Sequence, residues 1–265
     1  MTHSHLADML DLDAEVLHAY HQEVISWVGS LTPDRPLVVD LGAGTGAGTL
    51  ALARELPDAR IVAVDVAEPM LDHLRHRAHT LGVADRIRTV QADLDRTWPP
   101  LGPADLVWAS AALHHLADPR NAVAQAFATL RPAGVFVITE LDSFPTFLPD
   151  EAGAALEARC HALLAEARTE AGLHMHEDWS ARLREAGFTV EAERRFDIAL
   201  RAPLPAATGR YAQVCLQRMR HRLDDRLTAD DLAALDAAAA TVEDRDDLVV
   251  RATRTVRVAR RPDAR

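Results

Sequence analysis

The chain has 265 residues, of which 48% are hydrophobic and 5% aromatic, with a formal net charge of −11. This length suits one large domain, or one domain with an elaborated cap, and the acidity argues against a nucleic-acid substrate, because affinity there rests on basic surface. All 29 basic side chains are arginine, a usage expected from GC-rich bacterial coding. No run approaches the length that spans a membrane, and the first fifteen residues lack the basic start and apolar centre of a signal peptide. Cys160 and Cys215 stand far apart in helical patterns, so the expected setting is the reducing cytoplasm, without a disulfide.

Residues 12–30 have apolar side chains at helical spacing: Leu12, Val16, Leu17, Tyr20, Val24, Ile25 and Val28. This helix is expected to fold over the mouth of the sheet that follows, where Tyr20 and His21 reach a ligand. The first strand is 37–41. It ends in Asp40-Leu41 and runs into Gly42-Ala43-Gly44-Thr45-Gly46-Ala47-Gly48, followed by a helix to Leu56. Glycines at such a turn open backbone angles closed to other residues and let a ligand touch the main chain, and the helix beyond offers free N–H groups. Gly42, Gly44 and Ala47 satisfy the dinucleotide pattern G-x-G-x-x-G/A. A carboxylate at Asp40 would repel a pyrophosphate but would attract a sulfonium and an ammonium group. The turn therefore favours S-adenosylmethionine (SAM) over a dinucleotide.

The second strand, 61–65, ends in Asp65, nineteen residues past Gly46. An acid there suits the two hydroxyls of an adenosine ribose. Glu68-Pro69-Met70 opens the next helix, with Met70 placed to lie against an adenine. A third strand, 86–90, leads to Asp93, which suits an adenine amino group. The fourth strand, 104–109, is followed by His114 and His115. A helix at 119–130, a turn at 131–134 and a fifth strand at 135–139, ending in Glu140 and Asp142, complete the alternation. Such alternation gives a doubly wound sheet with its ligand beyond the carboxyl ends of the strands, where Asp40, Asp65, Asp93, Ala109 and Glu140 all fall.

Five segments together resemble a family: VVDLGAGTG (38–46), VAVDVAEPML (62–71), QADLD (91–95), DLVWASAALHHLADP (105–119) and LRPAGVFVITE (130–140). In order and spacing they resemble the class I SAM-dependent methyltransferases, of the small-molecule type acting on quinones and natural products, over roughly residues 36–142. The resemblance implies a Rossmann-like methyltransferase fold: an α/β, doubly wound, seven-stranded sheet with an antiparallel last strand and helical cap insertions. It also implies roles. Asp40 and the backbone of Gly42, Ala43 and Gly44 would hold the methionine part of SAM. Asp65 would take the ribose, Val66 and Met70 would flank the adenine, Asp93 and the Leu94 backbone would read its edge, and Ala109 would contact the ligand through its main chain.

The implied division is a helical cap at 1–35, the SAM-binding core at 36–142, and a C-terminal part at 143–265 whose insertions, about 143–178 and 203–242, form a substrate lid. Within that part a helix is expected at 151–171, another at 179–186 after Asp178, a sixth strand at 188–199, helices near 205–222 and 228–240, and a seventh strand at 248–258. The helix around Tyr211, Cys215 and Met219 is expected to face the pocket, with at least half of those side chains packed against the sheet instead. His174 and His176 are candidates to line it; as metal ligands they lack a partner set, so no metal is expected.

The expected reaction moves a methyl group from SAM to an O, N or C atom of a small organic acceptor, with secondary metabolism as the expected setting, releasing S-adenosyl-L-homocysteine. The protein is expected to be a monomer or homodimer that binds neither nucleic acid nor membrane. His114 is the first candidate for a general base, with Glu140, Asp142, His174 and Tyr20 as alternates. Two other functions share the same site: a non-methylating rearrangement or cyclisation, and SAM sensing without catalysis.

Overall fold

A computed structural model describes residues 3–175 and 177–263, with side chains from residue 6 onward. The described chain divides into two compact units. The larger comprises Ala19–Leu141, His174–Phe196 and the stretch from Thr255 on; the smaller comprises the stretch up to His18, Asp142–Leu173 and Asp197–Arg254.

The larger unit opens with a helix, since α1 (His3–Val16) gives way to α2 (His18–Gly29) at Leu17. The single helix expected over 12–30 is therefore two. The apolar period runs through the break unchanged, with Val16, Leu17, Tyr20, Val24, Ile25 and Val28 all buried, which is why the sequence pattern did not reveal it. Next come β1 (Leu37–Leu41), α3 (Ala47–Glu55), β2 (Arg60–Asp65), α4 (Glu68–Thr80), β3 (Ile87–Gln91), β4 (Ala104–Ser110), α5 (Pro119–Thr129) and β5 (Leu130–Leu141). β1, β2 and β4 are near-continuous apolar runs and almost wholly buried, as strands covered on both faces must be. They pair in parallel, β2 with β1 and β3, and β4 with β1 and β5.

β5 starts five residues earlier than the pattern suggests. Leu130 already pairs with Ala104, and the register then shifts before Leu106 meets Val135. The expected turn at 131–134 survives inside the strand as a bulge, with Ala133 at φ 63°.

Later in the chain α6 (Glu151–Glu170), α7 (Trp179–Glu185), β6 (Thr189–Leu200), α8 (Thr208–Arg222), α9 (Ala229–Thr241) and β7 (Val250–Arg260) follow. Asp150, Asp178 and Thr228 cap α6, α7 and α9 by accepting a backbone N–H three residues on. The sheet order is β3-β2-β1-β4-β5-β7-β6. β7 runs antiparallel to β5: Ala133 N–H donates to Arg261 O, and Arg261 N–H donates to Gly134 O. The expected doubly wound, seven-stranded sheet with an antiparallel close is thus observed.

In the smaller unit the expected pocket-facing side chains are interior. Tyr211, Cys215 and Met219 are all buried; the Tyr211 hydroxyl donates to Asp13 at 2.5 Å, and its ring meets Phe147 edge-on. They pack the unit's own core instead of lining a pocket.

Candidate active site

The parallel register sets the rim. Leu41, Val64, Ala109 and Ile138 lie on one level: Leu41 pairs with Val64 and Ala109, and Ala109 with Ile138. Gly42, Asp65, Ser110 and Thr139 are the next residues up. The glycine turn is anchored there by its backbone, with Ala43 N–H donating to Val64 O at 2.9 Å and Gly44 N–H to Asp65 Oδ2 at 2.8 Å. Gly42, Gly44 and Gly46 all have positive φ, angles that cost an L-residue energy. A Cβ on Gly42 would sit 2.5 Å from the Ala112 Cβ, so the glycine also permits a close approach to the segment after β4.

Asp65 accepts a second N–H, from Ala67 to Oδ1 at 2.8 Å. A carboxylate has about four lone-pair sites, so two remain for ribose hydroxyls. Beside it Val66 is 61% exposed, an uncovered apolar face of the kind an adenine ring would shield. Met70 is buried on α4. Asp93 closes its own turn, accepting from Asp95 N–H at 3.1 Å, with Leu94 half-buried after it. Ala109 is fully buried, one level below the rim.

Asp40 is deeper than its neighbours. It pairs with Ala63 and Trp108 and accepts the Thr49 hydroxyl on Oδ2 at 2.5 Å. Burial, with the nearby negative charge of Asp65, outweighs that hydrogen bond and pushes its carboxyl up to about 7. Thr49 was not singled out in the sequence; its only signal is a hydroxyl in the first turn of the helix that follows the glycines.

Beyond β4 the chain makes a tight turn. Ala111 sits at φ 50°, and its N–H donates to Thr139 O at 2.8 Å. The turn delivers His114, which is buried, to Glu140 at the end of β5, with His114 Nδ1 2.6 Å from Glu140 Oε2. Two candidates from separate motifs thus form one buried pair. His115 is exposed. The His174 backbone N–H donates to His114 O at 2.9 Å, so His174 braces this turn through its main chain. His176 lies outside the described residues. Tyr20 donates to, or accepts from, Thr139 Oγ1 at 2.9 Å, next to Glu140. Thr139 also escaped the sequence reading, being one apolar-strand threonine among several. Glu140 Oε1 is buried without a partner among the described residues, a vacancy that a donor on a bound molecule would fill. Among the described residues no group of three or more His, Cys, Asp or Glu is arranged to hold a metal ion.

Sheet order and site together define the Rossmann-like methyltransferase fold. The chain is similar in fold to a crystal structure from Bacillus halodurans C-125 whose description assigns it provisionally as a methyltransferase, with a TM-score of 0.59 at 19% identity over 91% of this chain and 98% of the other. Residues 38–134 match the family model for a methyltransferase domain, which supports the class I SAM-dependent methyltransferase reading of that segment. Two curated relatives are similar in sequence. The trans-aconitate 2-methyltransferase of Azoarcus sp. (strain BH72) is 37% identical over 40% of this chain. The 27-O-demethylrifamycin SV methyltransferase of Amycolatopsis mediterranei (strain S699) is 26% identical over 69%. The chain spans 39% of the first relative's length and 65% of the second's. SAM is the cofactor of this domain class, and the site fits it: Asp65 keeps acceptor capacity, Val66 offers an apolar face, and the glycine turn exposes its backbone.

Proposed function

We propose that this protein transfers a methyl group from SAM to an O, N or C atom of a small organic acceptor, with His114 as general base and Glu140 as its orienting partner. The observation that carries this reading is the buried 2.6 Å His114–Glu140 pair, two residues past the Ala112 that packs on the glycine turn. SAM supplies a methyl carbon already activated by its sulfonium. This chain has to hold the acceptor atom in line with that carbon and exclude water. With SAM bound, the carbon–sulfur bond would break as the acceptor–carbon bond forms, its electrons remaining on sulfur. The acceptor's proton then passes to His114. Glu140 at Nδ1 fixes the tautomer that leaves Nε2 free to receive that proton, and it stabilises the imidazolium that results.

Asp65 is assigned to the ribose, Val66 and Met70 to the adenine faces, and Asp93 with the Leu94 backbone to the adenine edge. Asp40, the Gly42–Gly44 backbone and Tyr20 are assigned to the methionine end, and Ala109 to a main-chain contact. The small-molecule acceptor is supported by the two relatives, whose names specify an organic acid and a rifamycin. These relatives transfer methyl groups, which favours transfer over cyclisation or sensing.

Incubation with methyl-labelled SAM and a panel of carboxylic acids, phenols, amines and quinones tests the proposal. Label appearing in an acceptor, and lost with His114→Ala, supports it. Tight SAM binding with no transfer to any acceptor in the panel refutes the transferase reading and points to a rearranging or sensing role.

A further inference from the structure

A second charged cluster lies wholly within the smaller unit. Arg168, on α6, lays its guanidinium over the Phe144 ring, with Cζ 3.6 Å from the centroid. One face of that helix carries His161 seven residues earlier, and its ring meets Phe144 edge-on with centroids 6.3 Å apart. His161 Nε2 is buried with no hydrogen-bond partner among the described residues. On α8, Arg218 and Arg222 stand four apart, hence on one face.

The electrostatics are unusual for a chain with 40 acidic residues. Arg168 is half-buried, and no carboxylate faces it among the described residues. Burial, then Arg222, then Arg218 bring its guanidinium down to about 10. Burial, then Arg168, pushes the His161 imidazole down to about 4, so that ring is neutral near pH 7. Elsewhere in the same unit arginines meet carboxylates, Arg159 with Asp231, Arg226 with Glu170 and Arg245 with both Asp150 and Asp247. An uncompensated, partly desolvated arginine beside two more is destabilising by itself. A planar guanidinium with a second cation and a ring N–H is a donor set matched to a carboxylate or phosphate.

We infer that the α6–α8 face of the smaller unit binds a small molecule through a carboxylate or phosphate group, held by Arg168, Arg222 and the Nε2–H of His161 on a Phe144 floor. The inference stands apart from the methyl-transfer reading, because its readout is equilibrium binding.

Calorimetric titration of the full chain at constant ionic strength in chloride, with tricarballylate in one arm and inorganic phosphate in the other, tests it. Wild type is expected to bind at least one probe. Arg168→Gln and Arg222→Gln should each weaken that binding tenfold or more, and saturation should shift the His161 imidazole resonances. The arm that binds assigns the anionic group. Arg222 is exposed, so its variant decides the matter even where Arg168→Gln does not fold. Failure of wild type to bind either probe, or affinity retained in the Arg222 variant, overturns the inference.

Discussion

Gly42→Ala separates the two reasons for a glycine at the head of the cofactor turn. Gly42 has φ +68°, and a methyl there would lie 2.5 Å from the Ala112 Cβ. The left-handed angle costs an L-residue about 1–2 kcal/mol, and forcing a methyl into occupied space costs about 1–3 kcal/mol more. Gly82 is the control: its φ is +69°, with nothing within 4 Å of an added Cβ. Gly82→Ala therefore carries only the backbone cost of about 1–2 kcal/mol. The gain from restricting the unfolded chain is common to both and cancels in the difference. Urea unfolding should find Gly42→Ala the less stable by about 1–3 kcal/mol, a large share of a typical domain's stability. Adding Ala112→Gly vacates the space, so the double variant should recover most of that excess. SAM affinity should fall in Gly42→Ala and not in Gly82→Ala, because a displaced turn loses the Gly44–Asp65 hydrogen bond. Equal destabilisation by the two alanines, with no relief from Ala112→Gly, would refute the claim that close packing against the post-β4 segment shapes the turn.

Asp65→Ala should weaken SAM binding by about 1–3 kcal/mol through lost hydrogen bonds; calorimetry showing unchanged affinity would sink the ribose assignment. His114→Ala should lower turnover by about 10²–10⁴-fold with SAM affinity largely retained, and Glu140→Gln should do so less severely while displacing the pH–rate profile. Turnover unaffected by both changes would remove the base. Glu157 accepts from Phe147 N–H at 2.9 Å and Leu148 N–H at 3.0 Å, yet burial lifts its carboxyl from 4.5 to about 7. The folded state therefore holds this proton more tightly than the unfolded state does. Its favourable share is complete below pH 4.5 and is lost as pH rises to about 7, amounting to up to roughly 3 kcal/mol. Glu157→Gln should flatten that part of the urea-measured stability profile; an unchanged slope would show that the carboxyl titrates normally.

Much of the sheet was legible because parallel strands buried on both faces read as apolar runs, and β1, β2 and β4 are such runs ending in distinctive residues. Helices with Asp or Thr caps were equally plain. The division at Leu17 was hidden because one non-helical residue does not disturb an apolar period. The β5 bulge was hidden because Arg131-Pro132-Ala133-Gly134 reads as a turn, and it is one, inside a strand. In the site, the acids were visible since each closes a strand, but their partners were not. Nothing local marks Thr49 as the partner of Asp40, or Glu140 as the companion of His114. Those pairings depend on which strands lie side by side, which only the topology supplies. The assignment of Tyr211, Cys215 and Met219 to a pocket failed for a related reason: an amphipathic helix shows that one face is covered, not by what.

The smaller unit is threaded from three separated stretches of chain, and that has a consequence for biosynthesis. Asp13 on α1 finds its partner in Tyr211 on α8, nearly the whole chain later. At translation speeds of about 5–20 residues per second, α1 waits on the order of ten to forty seconds for α8 to be made. During that interval Val16 and Leu17, both buried in the finished protein, wait for their cover, as β5 waits for the strand β7 that closes the sheet beside it.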